Sequence, residues 1–161
     1  MPLSPDEQRD LVVLLRRLAD EGGAMPTTPR AIWDALAGVV PRLAVELGLF
    51  AGEAILLSHR DDETWRGWHI PGGFVGRDET LADACRRIAR RELGVEVELI
   101  GVVGSFAWPD HPCGSVLSLL CACRSDATPR DARFFVELPE PMVRHHAGMV
   151  DELRRHRITS P

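Results

Sequence analysis

The 161-residue sequence contains no tyrosine, no CxxC pair among its four cysteines and no block of lysine, and its formal net charge is -5. No phenol is therefore available for binding or catalysis, and no CxxC framework for zinc or redox chemistry is present. The charge gives no general attraction toward nucleic acid, so any anionic ligand has to be drawn in locally by arginines. The start, MPLSPDEQRD, is acidic where a secretory leader is basic and then apolar. The most hydrophobic later stretch is broken by Glu46, Gly48, Gly52 and Glu53. These features predict a soluble cytoplasmic protein with neither a membrane nor a nucleic-acid partner. A composition 45% hydrophobic and 27% charged, without repeat or low-complexity linker, suits one globular domain. Cys85, Cys113, Cys121 and Cys123 read as reduced, mostly buried thiols; a zinc site from His111, Cys113, Cys121 and Cys123 is the alternative.

What is present divides the chain near residue 40. Ser4, Pro5 and Glu7 form a helix-start signal ahead of Leu11, Val12, Leu14, Leu15 and Leu18, with a stop at Gly22-Gly23. Thr28-Pro29 repeats the start and AIWDALAGVV supplies a second helix, so residues 1–40 form a helical extension and 41–161 the main domain. RLAVELGLF and EAILLSH read as two hairpin strands, and WHI as a short strand ending at Pro71-Gly72-Gly73. Thr80, with Asp83 as capping acid, starts a helix that Gly94 stops. VEVELIGVVGSFAW and SVLSLLCACR read as a second hairpin, then comes ARFFVEL. Last, Met142, Val143, His146, Met149, Val150 and Leu153 fall at helical spacing.

The stretch Pro71, Gly72, Gly73, Glu79, Arg87, Glu92, Leu93, Gly94 resembles the Nudix box of the Nudix hydrolases. Ile88 and Arg91 depart from it, because both stand where the family usually carries metal-binding glutamates. Positions 88, 91 and 92 span an arc of only about 100° on a helix, so one carboxylate remains on a face that normally has several. From Trp68 to Gly94 the sequence is more similar to the GDP-mannose mannosyl hydrolase branch, with its aromatic pair before Pro-Gly-Gly, its DETL start and its single glutamate before Leu-Gly.

The resemblance implies an α/β fold with a mixed β-sheet between helices, Mg²⁺ as cofactor and a nucleotide-type small molecule as substrate. It implies Glu92 and the carbonyl of Gly72 as metal ligands, Arg60 beside the leaving phosphate, and Arg87 either supporting the box through Glu79 or reaching the phosphates. Attack of water at a sugar carbon mainly requires neutralising a departing nucleoside diphosphate, which suits a reduced box. Pro129 occupies the place of the branch's histidine base, Thr128 that of a neighbouring metal-contacting residue, and Phe74 that of an arginine. Asp131, Asp126 and the Asp110-His111 pair are the replacement candidates, with Asp131 preferred. His69 and Arg91 are candidate substrate contacts, each with a structural or solvated reading beside it; Arg86 and Arg90 read as solvated. Trp68 is expected in the core and Trp65 is left open. Of His145 and His146, one is expected inward and one outward. The competing functions are a pyrophosphohydrolase attacking phosphorus and a catalytically weak or inactive binding module. The extension makes a homodimer a further expectation.

Overall fold

The computed structural model describes residues 2–20 and 29–156. In chain order the elements are α1 (Pro5–Asp20), α2 (Arg30–Ala37), β1 (Arg42–Ala51), β2 (Ala54–Asp61), β3 (Arg66–His69) and β4 (Gly72–Phe74). They continue with α3 (Leu81–Leu93), β5 (Glu98–Trp108), β6 (Val116–Arg124), β7 (Ala132–Phe135) and α4 (His146–Arg155). The expected mixed sheet between helices is present. β1 runs parallel to β6, and every other pairing is antiparallel.

The predicted caps form. Ser4 N–H donates to Glu7 Oε2 (2.7 Å) and Glu7 N–H to Ser4 Oγ (3.4 Å). Asp83 N–H donates to Thr80 Oγ1 at 3.1 Å, and Gly94 closes α3 in the left-handed region at φ 67°. The Gly22-Gly23 stop and Thr28 lie outside the described residues. α1 buries none of its residues. α2 is held by Trp33, which meets Phe74 edge to face at 5.3 Å.

β1 carries the architecture through its alternation. Val45, Leu47 and Leu49 pack beneath α3 with Cys85, Ile88, Leu93, Cys121 and Cys123. Ala44, on the other face, joins Ile55, Leu57, Ile70, Trp108 and the α4 residues Met149, Val150 and Leu153. One edge of β1 pairs with β6 along its length, but its other edge is shared. β2 takes Phe50 and Ala51, while β4 takes Ala44, Val45 and Glu46. After their turn β1 and β2 diverge, and a cleft opens between them.

Two expectations are corrected. Gly72-Gly73 is not only a turn: with Phe74 it forms β4, a short strand on the β1 edge, since the shared edge leaves β1 unpaired donors that a passing chain can satisfy. Met142 and Val143 are not helical. Val143 N–H donates to Trp68 O (2.8 Å) and Met142 bridges Trp68, so α4 begins only at His146.

Candidate active site

The same face of β1 that carries Ala44 carries Glu46, a carboxylate 6% exposed. Its Oε1 accepts from Ser118 Oγ at 2.8 Å, and Ser118 Oγ accepts from Trp108 Nε1–H at 3.2 Å. The indole donor thus turns the hydroxyl proton toward Glu46. Burial pushes this carboxyl up to about 8, helped by the charge of Glu92 and opposed by the Ser118 hydrogen bond. Glu46 pairs with Gly72 across the strands, and a Cβ on Gly72 would lie 2.0 Å from Glu46 Oε2. Only glycine fits there.

α3 brings a second carboxylate to the same place. Glu92 Oε2 accepts from Gly72 N–H at 3.2 Å, and its Oε1 accepts from Arg91 Nη2 at 2.7 Å. Gly72 therefore stands between Glu46 and Glu92. The other two box positions are now explained. Ile88 is fully buried beneath α3, its Cδ1 3.3 Å from where a Gly73 Cβ would be, so it serves the core. Arg91, with a side chain 57% exposed, is the partner of Glu92 at the rim.

A cavity of about 350 Å³ opens beside these groups, lined among others by Glu46, Arg60, His69, Gly72, Phe74 and Trp108. Arg60 reaches it from β2, steadied by Asp62 at 3.1 Å. Arg87 is not among the residues lining it. Its Nε and Nη2 bond Glu79 (2.7 and 2.8 Å) and its Nη2 also bonds Phe74 O (2.9 Å), while Glu79 accepts from Gly76 N–H. That clasp fixes the loop between β4 and α3, and it holds the Glu79 carboxyl below its ordinary range.

His69 lines the cavity, yet both of its nitrogens are used within the protein. Nδ1–H donates to Ile70 O (2.8 Å), and Nε2 accepts from Ser58 Oγ (3.0 Å). It forms part of the cavity wall with both nitrogens already engaged. Asp131 is exposed at φ 55°, and among the described residues it is not one of those around the cavity; neither are Asp126 or Thr128. The loop carrying them docks on the end of α3, where Arg130 N–H donates to Leu93 O at 2.9 Å, and leads into β7, which pairs with β2. Asp110 is engaged by Arg144 at 2.5 Å and His145 at 3.4 Å. His111 belongs to an aromatic wall with Trp65 (5.2 Å) and Trp108 (4.9 Å), which also places Trp65.

The zinc alternative is not assembled. His111 and Cys113 sit in the β5–β6 turn, whereas Cys121 and Cys123 face Cys85 in the core under α3. Among the described residues no cluster of three His, Cys, Asp or Glu side chains is poised for a metal.

Sequence reasoning missed Glu46, Ser118 and His146. Glu46 had one signal, a lone charge in the apolar run RLAVELGLF on the same strand face as Ala44. His146 is the inward histidine, and burial lowers it to about 3 with His69 adding to the effect. Its Nδ1 accepts from Ile70 N–H (3.1 Å), which leaves the proton on Nε2.

The family model of the NUDIX domain matches residues 40–146. Over 84 residues, 50% of the chain, the sequence is 42% identical to the low-salt glycan biosynthesis protein Agl8 of Haloferax volcanii, and the match spans about half (54%) of that protein. A MutT NUDIX hydrolase from Burkholderia pseudomallei superposes with a TM-score of 0.65 at 20% identity, covering 71% of this chain and 98% of its own. A UDP-X diphosphatase superposes at 0.59 and 16% identity, covering 98% of this chain and 87% of its own.

Proposed function

The chain belongs to the NUDIX hydrolase family, and we propose that it hydrolyses a nucleotide sugar at the sugar carbon, releasing a nucleoside diphosphate with the aid of one Mg²⁺. The observation that carries this reading is the meeting of two carboxylates, Glu46 and Glu92, at Gly72, with Ile88 committed to the core. So few carboxylates favour one cation over several. The glycan-related name of the Haloferax relative supports a sugar-bearing substrate.

The donor set fits the ion: Glu92 and the Gly72 carbonyl offer hard oxygens, and the substrate diphosphate and water would complete the shell. Bound there, Mg²⁺ supplies positive charge to the departing diphosphate. Arg60, on the cavity wall, adds to that charge from the β2 side. Glu46 is the general base in place of the exposed Asp131. A water oxygen forms the new bond to the sugar carbon, its proton passes to Glu46, and the carbon–oxygen bond breaks with its electron pair going to the diphosphate. Arg87 is a positioning residue that holds the loop after Gly73. Self-association of the extension would use the exposed Leu11, Leu14 and Leu15 of α1. Among the described residues no helix is long and apolar enough to cross a membrane.

The test is turnover of a panel of nucleotide sugars with Mg²⁺ in H₂¹⁸O. Label in the free sugar, with unlabelled nucleoside diphosphate, is expected. Label in phosphate would move the attack to phosphorus, and binding without turnover would make the protein a binding module.

A further inference from the structure

Phe74, which lines the cavity, carries an arginine against its ring that is not itself part of the lining. Arg42 lies on the same face of β1 as Glu46, four residues earlier and therefore about 13 Å away along a strand. It is 9% exposed, and its Nε, Nη1 and Nη2 are buried with no hydrogen-bond partner. Its guanidinium carbon sits 4.2 Å from the Trp33 ring centroid and 4.9 Å from that of Phe74. Those rings are only 5.3 Å apart and inclined at 64°. They therefore form a corner on one side of the guanidinium instead of a clamp around it. The carboxylate of Asp34 is taken by Arg30 at 2.8–2.9 Å. Cation–π contact offsets part of the cost of burying this charge, but it offers no acceptor to a planar fork of N–H donors.

The cavity that Phe74 borders is aromatic on this side. Phe74 and Trp108 line it together with His111, whose ring lies 6.2 Å from Phe74 and 4.9 Å from Trp108, and Arg30 stands at the same end. Flat apolar faces beside an unsatisfied guanidinium suit a planar ring carrying coplanar acceptors. A further phosphate would leave the aromatic faces unused. α2 and the β5–β6 turn touch at Ala37 and Gly114, where a Cβ would lie 2.4 Å from Ala37 O.

We propose that Arg42 is the specificity residue for the base of the nucleotide, donating from its fork to the oxo edge of an oxo-bearing nucleobase, guanine foremost, while α2 and the β5–β6 turn part to admit it. An amino group at that edge, as in adenine, would set donor against donor. This rests on the nucleotide-sugar reading, since the base lies beyond the diphosphate held at Gly72 and Glu92.

The test is calorimetric binding of GDP and ADP, each with Mg²⁺, to the wild type and to Arg42→Met and Arg42→Lys, with thermal melting in parallel. The wild type is expected to bind GDP at least about tenfold more tightly than ADP. Arg42→Met should bring the two within about twofold, and Arg42→Lys, which keeps the charge but loses the fork, should not restore the preference. Should Arg42→Met fail to fold, the lysine variant alone decides. A wild type without base preference, or a preference that survives the loss of the fork, overturns the proposal and leaves Arg42 as a strut for α2. Base-selective binding without turnover would instead sink only the hydrolytic reading.

Discussion

Glu46 and Glu92 meet at one glycine but come from opposite environments. Glu46 stands on a central strand, buried at the cavity wall, with Ser118 as its hydrogen-bond donor and its carboxyl raised to about 8. Glu92 is near the end of a helix, 21% exposed on its side chain and paired with Arg91. A buried, weakly acidic carboxyl can exchange a proton near neutrality, whereas one paired with a guanidinium at the rim is suited to hold a cation. Two residues of the same type would thus carry different duties, and substitution at either one separates them.

The largest effect is expected from Glu92→Gln, which should lower kcat/KM by about 10³-fold or more with Mg²⁺ while leaving the melting temperature within a few degrees. Glu46→Gln should lower kcat by about 10²- to 10³-fold and abolish the rise of rate with pH up to about 8, because only the ionised carboxylate accepts a proton. It should also act on stability. The unfolded chain ionises Glu46 near its ordinary 4.5 and the folded protein only near 8. Stability from this group is therefore full below about pH 4.5 and lost as pH rises through 8. In urea unfolding with EDTA, the glutamine variant should be more stable than the wild type at pH 9 and show a flatter pH profile; an unchanged profile would mean that Glu46 is not buried as described.

Arg87→Ala should be milder. It opens the clasp on Glu79 and Phe74, costing about 1 kcal/mol of stability and about tenfold in kcat, and Arg87→Lys should recover little because the forked contact is lost. The smallest effect belongs to Asp131→Asn, within about twofold of wild type in kcat/KM; a loss like that of Glu46→Gln would return the base to the loop before β7.

Much of this was legible in the sequence because it is local. The Ser4–Glu7 box, the Thr80 cap and the Gly94 stop depend on residues within one turn. The offsets from Pro71 to Gly94 were enough for the family. What escaped depended on contacts distant in the chain. Alternation places Glu46 on the Ala44 face, but only the split edge of β1 reveals that Gly72 lies across from it. Met142 and Val143 have helical spacing, yet the backbone of Trp68 captures them. Asp131 follows Arg130, whose backbone is held by Leu93 at the end of α3, yet it is not among the residues around the cavity.

The division of labour between the two carboxylates can be measured directly by titrating Mn²⁺, as a spin-active substitute for Mg²⁺, into wild type, Glu92→Gln and Glu46→Gln in the presence of nucleoside diphosphate. One ion per chain in the wild type, none at comparable concentration in Glu92→Gln, and one in an inactive Glu46→Gln is the predicted result. Two or more ions per chain, or equal loss of binding in both variants, would contradict it.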